Sequence, residues 1–507
     1  MPSLRRNITA NFAGKLWATA LGLVFPPIYA RLLGIESYGL VGVWSSLTAV
    51  LGILDLGLST TLTRELARYS TDDDESSHRE MRNAVRTIEV VFWAVGAVAG
   101  GGIVILAPFV AQHWVNAQHI SSDLVARSIR VMGIAFALQW PMGVYNGGLL
   151  GLQKQVAANI IQVAFTTIRV LGAAVLVWKI SAAIDVFFVW QAAVMATQTL
   201  VTKVALAKSL PGSERAGTFQ LELLARNWRF STGMFFISIS SIALTQTDKI
   251  IVSKLLPLAQ FGYYTLAWAV GGALTNFTNP VFVAVFPRLT QIAKKNQPEE
   301  LSRVYHASCQ IISVVLLPAA AVLSLFSREV LTAWSGDPRL VAEASNVVAV
   351  VAIGTALNGL MNIPYALTLA FGWTRLNAVA NLIAVLLMAP MEYWLTKSYG
   401  LTGAAIGWLA LNFGYVAILM PIIHRRLLRG EVWRWYLVDV GLPLAGLATV
   451  VLPFRWLIDW PGGRFMACVY LAGIGIVAVA AAAIAAPASR ERGLALLGRW
   501  YAFRRTT

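Results

Sequence analysis

Apolar runs of about 18 residues or more return along almost the whole of this sequence, and each is long enough to cross about 30 Å of hydrocarbon as a helix. A segment in hydrocarbon must satisfy its own backbone groups, which a helix does. The chain therefore reads as an all-α polytopic membrane protein. The runs divide into about fourteen transmembrane helices, near 11–30, 39–60, 87–110, 127–150, 156–178, 184–206, 230–253, 262–286, 305–327, 344–370, 374–396, 401–422, 437–454 and 465–487. Composition agrees: 57% of residues are hydrophobic, 13% are charged and the mean hydropathy is +0.66. A water-soluble domain carries roughly twice that share of charge.

The formal net charge of +16 has its explanation in topology. With the N-terminus placed inside, inner segments hold roughly 27 Lys and Arg and outer loops roughly 10, the bias that orients polytopic proteins. This predicts a multi-pass membrane protein with both termini cytoplasmic, and it removes nucleic acid as a partner. "MPSLRRN" leads into the first span with no short apolar core and cleavage site, so a retained helix is expected. Cys309 and Cys468 both lie in apolar runs and are read as buried thiols, with no disulfide framework and no metal site. Trp433, Trp435, Tyr436, Trp456 and Trp460 flank span thirteen as expected interface anchors.

A phrase is written twice. "YARLLGIESYGL" (29–40) returns as "VSKLLPLAQFGY" (252–263), 223 residues later. Leu32, Leu33 and Gly39 align with Leu255, Leu256 and Gly262, Arg31 with Lys254, and Tyr38 with Phe261. The copies join spans one to two and seven to eight. An even number of spans separates them, so the halves are parallel repeats, a plan in which transporters place substrate at the repeat interface. The expected division is residues 1–207 for spans one to six and 208–228 for a cytoplasmic linker. Residues 229–425 then hold spans seven to twelve, and 426–507 hold spans thirteen and fourteen with a basic tail.

Charges inside these runs cost about 2.5–3.5 kcal/mol each on insertion scales and so have a reason to be there. Lys15, Asp55, Arg169, Asp248 and Lys249 are such charges. Polar residues accompany them at helical spacing: Ser45, Thr48, Gly52, Asp55, Ser59; Gln155, Asn159, Gln162, Thr166, Arg169; and Ser238, Ser241, Thr245, Asp248. Asn11 with Lys15 and Thr19, and Gly272 with Asn276 and Asn279, extend the pattern. Interhelical glue accounts for single Ser and Thr residues. Stripes that end in a charge point to a watery cavity. In it Lys15, Arg169 and Lys249 are candidate substrate-binding cations, suited to phosphate or carboxylate. Asp55 and Asp248 are candidate ion-coupling residues. Asn11, Thr48, Gln162, Thr166, Thr245, Asn276 and Asn279 are candidate polar lining. Neighbours on a helix point about 100° apart, so Asp248 and Lys249 need not pair with each other, although Asp248 as half of a structural ion pair stays open. Arg31 and Lys254 are expected interfacial anchors. Gly143, Gly147 and Gly151 make a stripe suited to close helix packing. No Walker motif, no H-E-x-x-H pattern and no nucleophile–base pair occurs, so the chain is not read as an enzyme.

"RNITANFAGKLWATALGLVFPPIYARLLGIESYGL", "LDLGLSTTLTRELARY", "QWPMGVYNGGLLGLQKQ", "LTQTDKIIVSKLLPLAQFGYYTLA" and "FPRLTQ" follow one another in order. Over roughly residues 5 to 425 they resemble polysaccharide-transport proteins of the O-antigen flippase type, within the multidrug/oligosaccharidyl-lipid/polysaccharide exporter superfamily. The resemblance implies two six-helix lobes in a pseudo-two-fold V with two further C-terminal helices. It implies alternating access that passes an isoprenoid-diphosphate-linked oligosaccharide from the inner to the outer leaflet, for O-antigen, capsule or exopolysaccharide. It implies membrane lipids and glycan polymerase or ligase machinery as partners. No cofactor is implied, and coupling to H⁺ or Na⁺ is left open. Three alternatives remain: a multidrug or cation antiporter of the same superfamily; a membrane glycosyltransferase or ligase, which would need an outer domain that the short outer loops do not supply; and a non-transporting structural partner of a glycan assembly complex.

Overall fold

The computed structural model describes residues 2–71, 74–211, 217–457 and 463–491, with side chains described from residue 14 onward except at 226–234 and 236–238. Among the described residues the secondary structure is helical and contains no strand. The chain forms two compact units, Met1–Gly262 and Tyr263–Thr507.

The first unit contains α1 (Pro2–Leu33), α2 (Ile35–Leu51), α3 (Leu58–Tyr69), α4 (Glu75–His113), α5 (Ser122–Gln139), α6 (Met142–Gly151), α7 (Gln155–Lys179), α8 (Ile184–Ser209) and α9 (Leu221–Leu255). Helix starts follow from local chemistry. Asp74 caps α4 by accepting the Ser77 N–H, and Ser121 caps α5 by accepting that of Leu124. Gly34, at φ 83°, lets α1 turn straight into α2. Small residues set the distances between helices. A Cβ at Gly147 or Gly151 would stand 2.7 Å from the carbonyl oxygen of Ser59 or Thr63, so α6 lies directly on α3. The Gly143–Gly147–Gly151 stripe is thus a packing surface. Gly100 on α4 and Gly133 on α5 meet in the same way, each against the other's carbonyl.

The second unit continues α10 (Leu258–Gly271), then α11 (Thr275–Lys295), α12 (Pro298–Leu325), α13 (Ser327–Ser335), α14 (Pro338–Leu360) and α15 (Asn362–Ala370). It closes with α16 (Thr374–Gly414), α17 (Met420–Leu427), the short α18 (Val432–Arg434), α19 (Leu442–Leu457) and α20 (Arg464–Ala485). Its core joins Tyr305, Cys309 and Ile312 of α12 to Leu447 of α19 and Ile474 of α20.

Eleven helical stretches among the described residues are long and apolar enough to cross a membrane, fewer than the fourteen read from sequence. Two of the differences have a local cause. Spans eleven and twelve form one long stretch because only Gly400, at φ 59° and ψ −138°, interrupts α16. Span four is cut at Trp140–Pro141, where proline removes a backbone donor. Span seven falls on α9, where the side chains at 226–234 and 236–238 lie outside those described.

Three expectations are corrected. Trp435 is not an interface anchor: it is 1% exposed in the core of the second unit, within a π-helical turn, whereas Trp433 and Trp456 are exposed. Cys468 is exposed and only Cys309 is buried. The Ser45–Ser59 stripe does not run on one helix. The chain tightens into a 3₁₀ turn at Gly52–Asp55, and Leu56 and Gly57 take left-handed conformations before α3 begins. Trp460, linker residues 212–216 and the tail beyond residue 491 lie outside the described residues.

Candidate functional site

In the first unit α1 packs along α7. A Cβ at Gly14 would touch Val163, and Trp17 Nε1 donates to Thr167 Oγ1 at 2.8 Å. In that register Lys15 stands at the level of residues 164–165, and Arg169 lies a little over one turn further on, about 7 Å along the axis. Tyr29 Oη donates to the Val170 carbonyl at 2.6 Å, and Trp190 Nε1 to that of Arg169 at 3.1 Å, which fixes the backbone that carries the guanidinium. Lys15 is exposed and Arg169 half-buried. Among the described residues neither has a carboxylate partner within 4.0 Å.

Lys249 differs. Its ammonium donates to Asp248 Oδ1 at 3.2 Å, to Asp248 Oδ2 at 3.3 Å and to the Thr245 carbonyl at 2.7 Å. The two sequence neighbours therefore do pair with each other, because the flexible lysine stem curls back along α9. Asp248 is 4% exposed. The packing of α2 on α9 runs antiparallel: Gly52 approaches Ile242 and Gly39 meets Leu258. That register sets Asp248 level with Thr48, whose hydroxyl is turned onto the Trp44 carbonyl at 2.9 Å. Thr245 Oγ1 likewise donates to the Ser241 carbonyl, at 2.8 Å.

Asp55 is set about 11 Å away from Asp248 along the same pair. Its Oδ1 accepts the Ser59 N–H at 3.1 Å and the Ser59 hydroxyl at 2.9 Å, so it acts as a local cap for the start of α3. Gln162 and Thr166 bond to each other at 3.3 Å, and Gln198 Nε2 of α8 donates to Gln162 Oε1 at 3.0 Å. The Asn11 side chain lies outside those described. Asn276, half-buried, and Asn279, exposed, belong to the second unit, on α11. The residues picked from sequence thus divide into two cations on α1 and α7 with no carboxylate partner among the described residues, an ion pair on α9, a helix cap, and polar side chains bonded to their neighbours.

Sequence reading missed two buried polar clusters. In the first unit Glu89 accepts Tyr145 Oη–H at 2.6 Å and pairs with Lys203 at 2.8 Å, from three different helices. In the second, His306 lies between Asp439 and Glu431, Gln310 Nε2 donates to Asp439 Oδ1 at 2.8 Å, and the Ser302 hydroxyl donates to Glu431 at 2.6 Å. Burial pushes the Glu431 carboxyl up, but the Ser302 and His306 contacts outweigh it and hold it below the ordinary carboxylate range. The available signal was Asp439 inside an apolar run; its partners lie about 130 residues away, which no spacing reveals.

The model of the family described as "Polysaccharide biosynthesis protein" matches residues 4–293, more than half of the chain, and a MatE family model matches residues 234–394. The chain belongs to the polysaccharide biosynthesis protein family. A Shigella flexneri protein described as an O-antigen transporter is 22% identical over 84% of this chain and 98% of its own. A Haloferax volcanii protein described as the low-salt glycan biosynthesis flippase Agl15 is 26% identical over 36% of this chain and 38% of its own. Among solved structures, the lipid II flippase MurJ in an inward closed conformation aligns with TM-score 0.72 at 14% identity, over 94% of this chain and 98% of that one. An inward-facing multidrug resistance MATE family transporter aligns with TM-score 0.66 at 14% identity, over 80% and 96%. These two likenesses define the fold.

Proposed function

We propose that this protein flips an isoprenoid-diphosphate-linked oligosaccharide from the inner to the outer leaflet of the bacterial cytoplasmic membrane by alternating access, in assembly of a surface polysaccharide. The observation that carries the reading is the cation step Lys15–Arg169. Two positive groups sit on packed membrane helices without a carboxylate partner among the described residues, inside the segment matched by the family. An unpaired cation at that depth is costly unless an anion visits it. A diphosphate is such an anion, and Arg presents a planar donor fork to phosphate oxygens. The flippase descriptions of the relatives agree with this.

In this reading the chain has fourteen spans with both termini cytoplasmic. Spans one to six (1–207) and seven to twelve (229–425) act as the repeated halves, joined by the linker 208–228, and 426–507 adds spans thirteen and fourteen. Lys249 is the third substrate cation, released when Asp248 takes up H⁺ or when Na⁺ replaces the ammonium at its carboxylate. Thr48 and Thr245 line the same path. Asp55 is the second coupling carboxylate, and Gln162, Thr166, Asn276 and Asn279 are polar lining. Glycan polymerase or ligase machinery receives the product, and the protein performs no covalent chemistry.

The deciding experiment depletes the protein and probes extracted lipid-linked glycan with a membrane-impermeant label. Accumulation confined to the inner leaflet supports flipping. Normal outer exposure overturns it. A normal level without accumulation favours the second reading, a drug or cation antiporter, which the MatE match at 234–394 keeps in view.

A further inference from the structure

We infer that the second unit holds a binding site for a lipid with an uncharged, hydroxyl-bearing head, such as a glycosyl lipid: the head sits in an asparagine-lined pocket and the chain in an adjoining apolar furrow. The site is built from α14, α15, α16 and α17. It does not rest on the transport reading, which uses charged residues of the first unit.

The pocket has a volume of about 180 Å³ and is bordered by Asn358, Asn362, Asn377, Asn381 and Tyr415. At about 30 Å³ per water molecule it has room for roughly six waters, the space of one sugar ring. All four asparagines are half-buried. Their internal bonds leave a defined set of groups unspent. Asn358 Nδ2 donates to Asn412, so its Oδ1 is left to accept. Asn377 Nδ2 donates to Thr368, with the same result. Asn381 Oδ1 accepts from Tyr415 Oη, so its Nδ2 is left to donate. Among the described residues the Asn362 amide makes no hydrogen bond. Acceptors and donors thus converge on one space, and a hydroxyl is the group that uses both.

The backbone is shaped to expose them. The α14–α15 break at Met361 turns Asn358 and Asn362 onto one cavity, and a π-helical turn at Tyr415–Leu419 adds Tyr415 and Leu419. Such turns are rare and gather at functional sites.

Tyr415 and Leu419 also border the furrow, which makes the two spaces continuous. The furrow follows α16 from Leu376 to Met391 on one side and from Ala410 to Ile422 on the other, with a volume of about 360 Å³, within the range of ligand sites. Its walls are aliphatic apart from Tyr415. Among the described residues no Lys, Arg, Asp or Glu borders either space. A phosphate head would bring a charge with no counter-charge into a low-dielectric site, whereas a neutral sugar brings none. Charge matching therefore selects the neutral lipid.

The test uses the full-length protein in phosphatidylcholine nanodiscs and two photoreactive probes with the same alkyl chain, a glucoside and a monophosphate. Labelled peptides are mapped by mass spectrometry. Saturable glucoside labelling within 376–391 and 410–422, at least about five-fold above the phosphate, is expected, the scale of one neutral hydrogen bond. The pair Asn362→Leu and Asn381→Leu should bring the two probes to equal labelling. Gly414→Phe should remove labelling of both, because a Cβ there meets no atom within 4 Å and the ring would fill the furrow. Equal labelling by both probes in the unmodified protein overturns the proposal and leaves a surface wetted by bulk lipid. That comparison needs no variant to fold, and it stands whether or not export is found.

Discussion

Gly39 and Gly262 make the same contact from opposite sides. A Cβ on Gly39 would strike the carbonyl oxygen of Leu258, and a Cβ on Gly262 would strike that of Ile35. Ile35 and Leu258 are themselves separated by the 223-residue offset of the repeated phrase. The two copies therefore clasp each other, each glycine against its partner's backbone, with Tyr38 and Phe261 buried beside them. Close backbone approach is the property glycine alone provides here. Gly39→Val and Gly262→Val should each part the clasp at a cost of about 1–3 kcal/mol. Replacing Tyr38 by Cys reads the result: its reaction with a membrane-impermeant maleimide should rise several-fold in either valine variant and stay low in the parent.

Removing one partner of a buried ion pair weakens the compensation of the charge that stays behind. Lys249→Ala should lower stability by about 3 kcal/mol, since Asp248 is 4% exposed. Lys15→Ala, which breaks no ion pair among the described residues, should leave the melting temperature in detergent almost unchanged while lowering export. Asp248→Asn combined with Lys249→Met should recover most of the lost stability. Failure of the double variant to recover would place the cost of Lys249→Ala outside the pair.

Asp55 has a cap's geometry, and the cap can be separated from ion coupling. Asp55→Asn keeps an acceptor for Ser59 and should cost little stability, whereas Asp55→Ala should cost about 1 kcal/mol. If Asp55 also takes part in coupling, Asn should abolish the pH dependence of export while membrane levels hold. A normal pH profile in Asp55→Asn would leave only the cap.

Glu431 gives the second unit a sensitivity to acid. Its carboxyl lies below the ordinary value in the folded state. It therefore contributes stability above the unfolded value of about 4.3 and loses that contribution as pH falls through the depressed one. Glu431→Gln should lower the melting temperature at pH 7. The gap between variant and parent should close as the pH is brought below about 4. A gap that persists there would mean that the carboxylate charge is not what holds Ser302 and His306.

The helices and their order were legible because hydrocarbon length imposes an unmistakable run of apolar residues. The glycine stripe Gly143–Gly151 and the repeated phrase were legible, since small-residue periodicity and repetition both survive in one dimension, but that the two copies clasp each other was not. The charged residues were legible one at a time, but their partnerships were not. Lys249 turned back on Asp248 because a lysine stem is long enough to ignore the 100° between neighbours. Asp55 left its stripe because Leu56 and Gly57 take left-handed backbone conformations that spacing alone does not disclose. His306 found Asp439 across about 130 residues, and Trp435 went inward with a π-helical turn.

The connection between α8 and α9, which looks in sequence like a loose tether, is stitched to the start of α4. Arg82 donates to the Pro211 carbonyl, Asn83 Oδ1 accepts the Thr218 N–H and hydroxyl, and Thr87 Oγ1 accepts the Gln220 N–H. Gly217 lies so close to Arg82 that no side chain fits. For protein engineering this inverts the obvious choice. A reporter fused, or the chain split, at residues 217–220 would unpick the seam on α4, so the longest polar connection in the sequence is a poor place to cut.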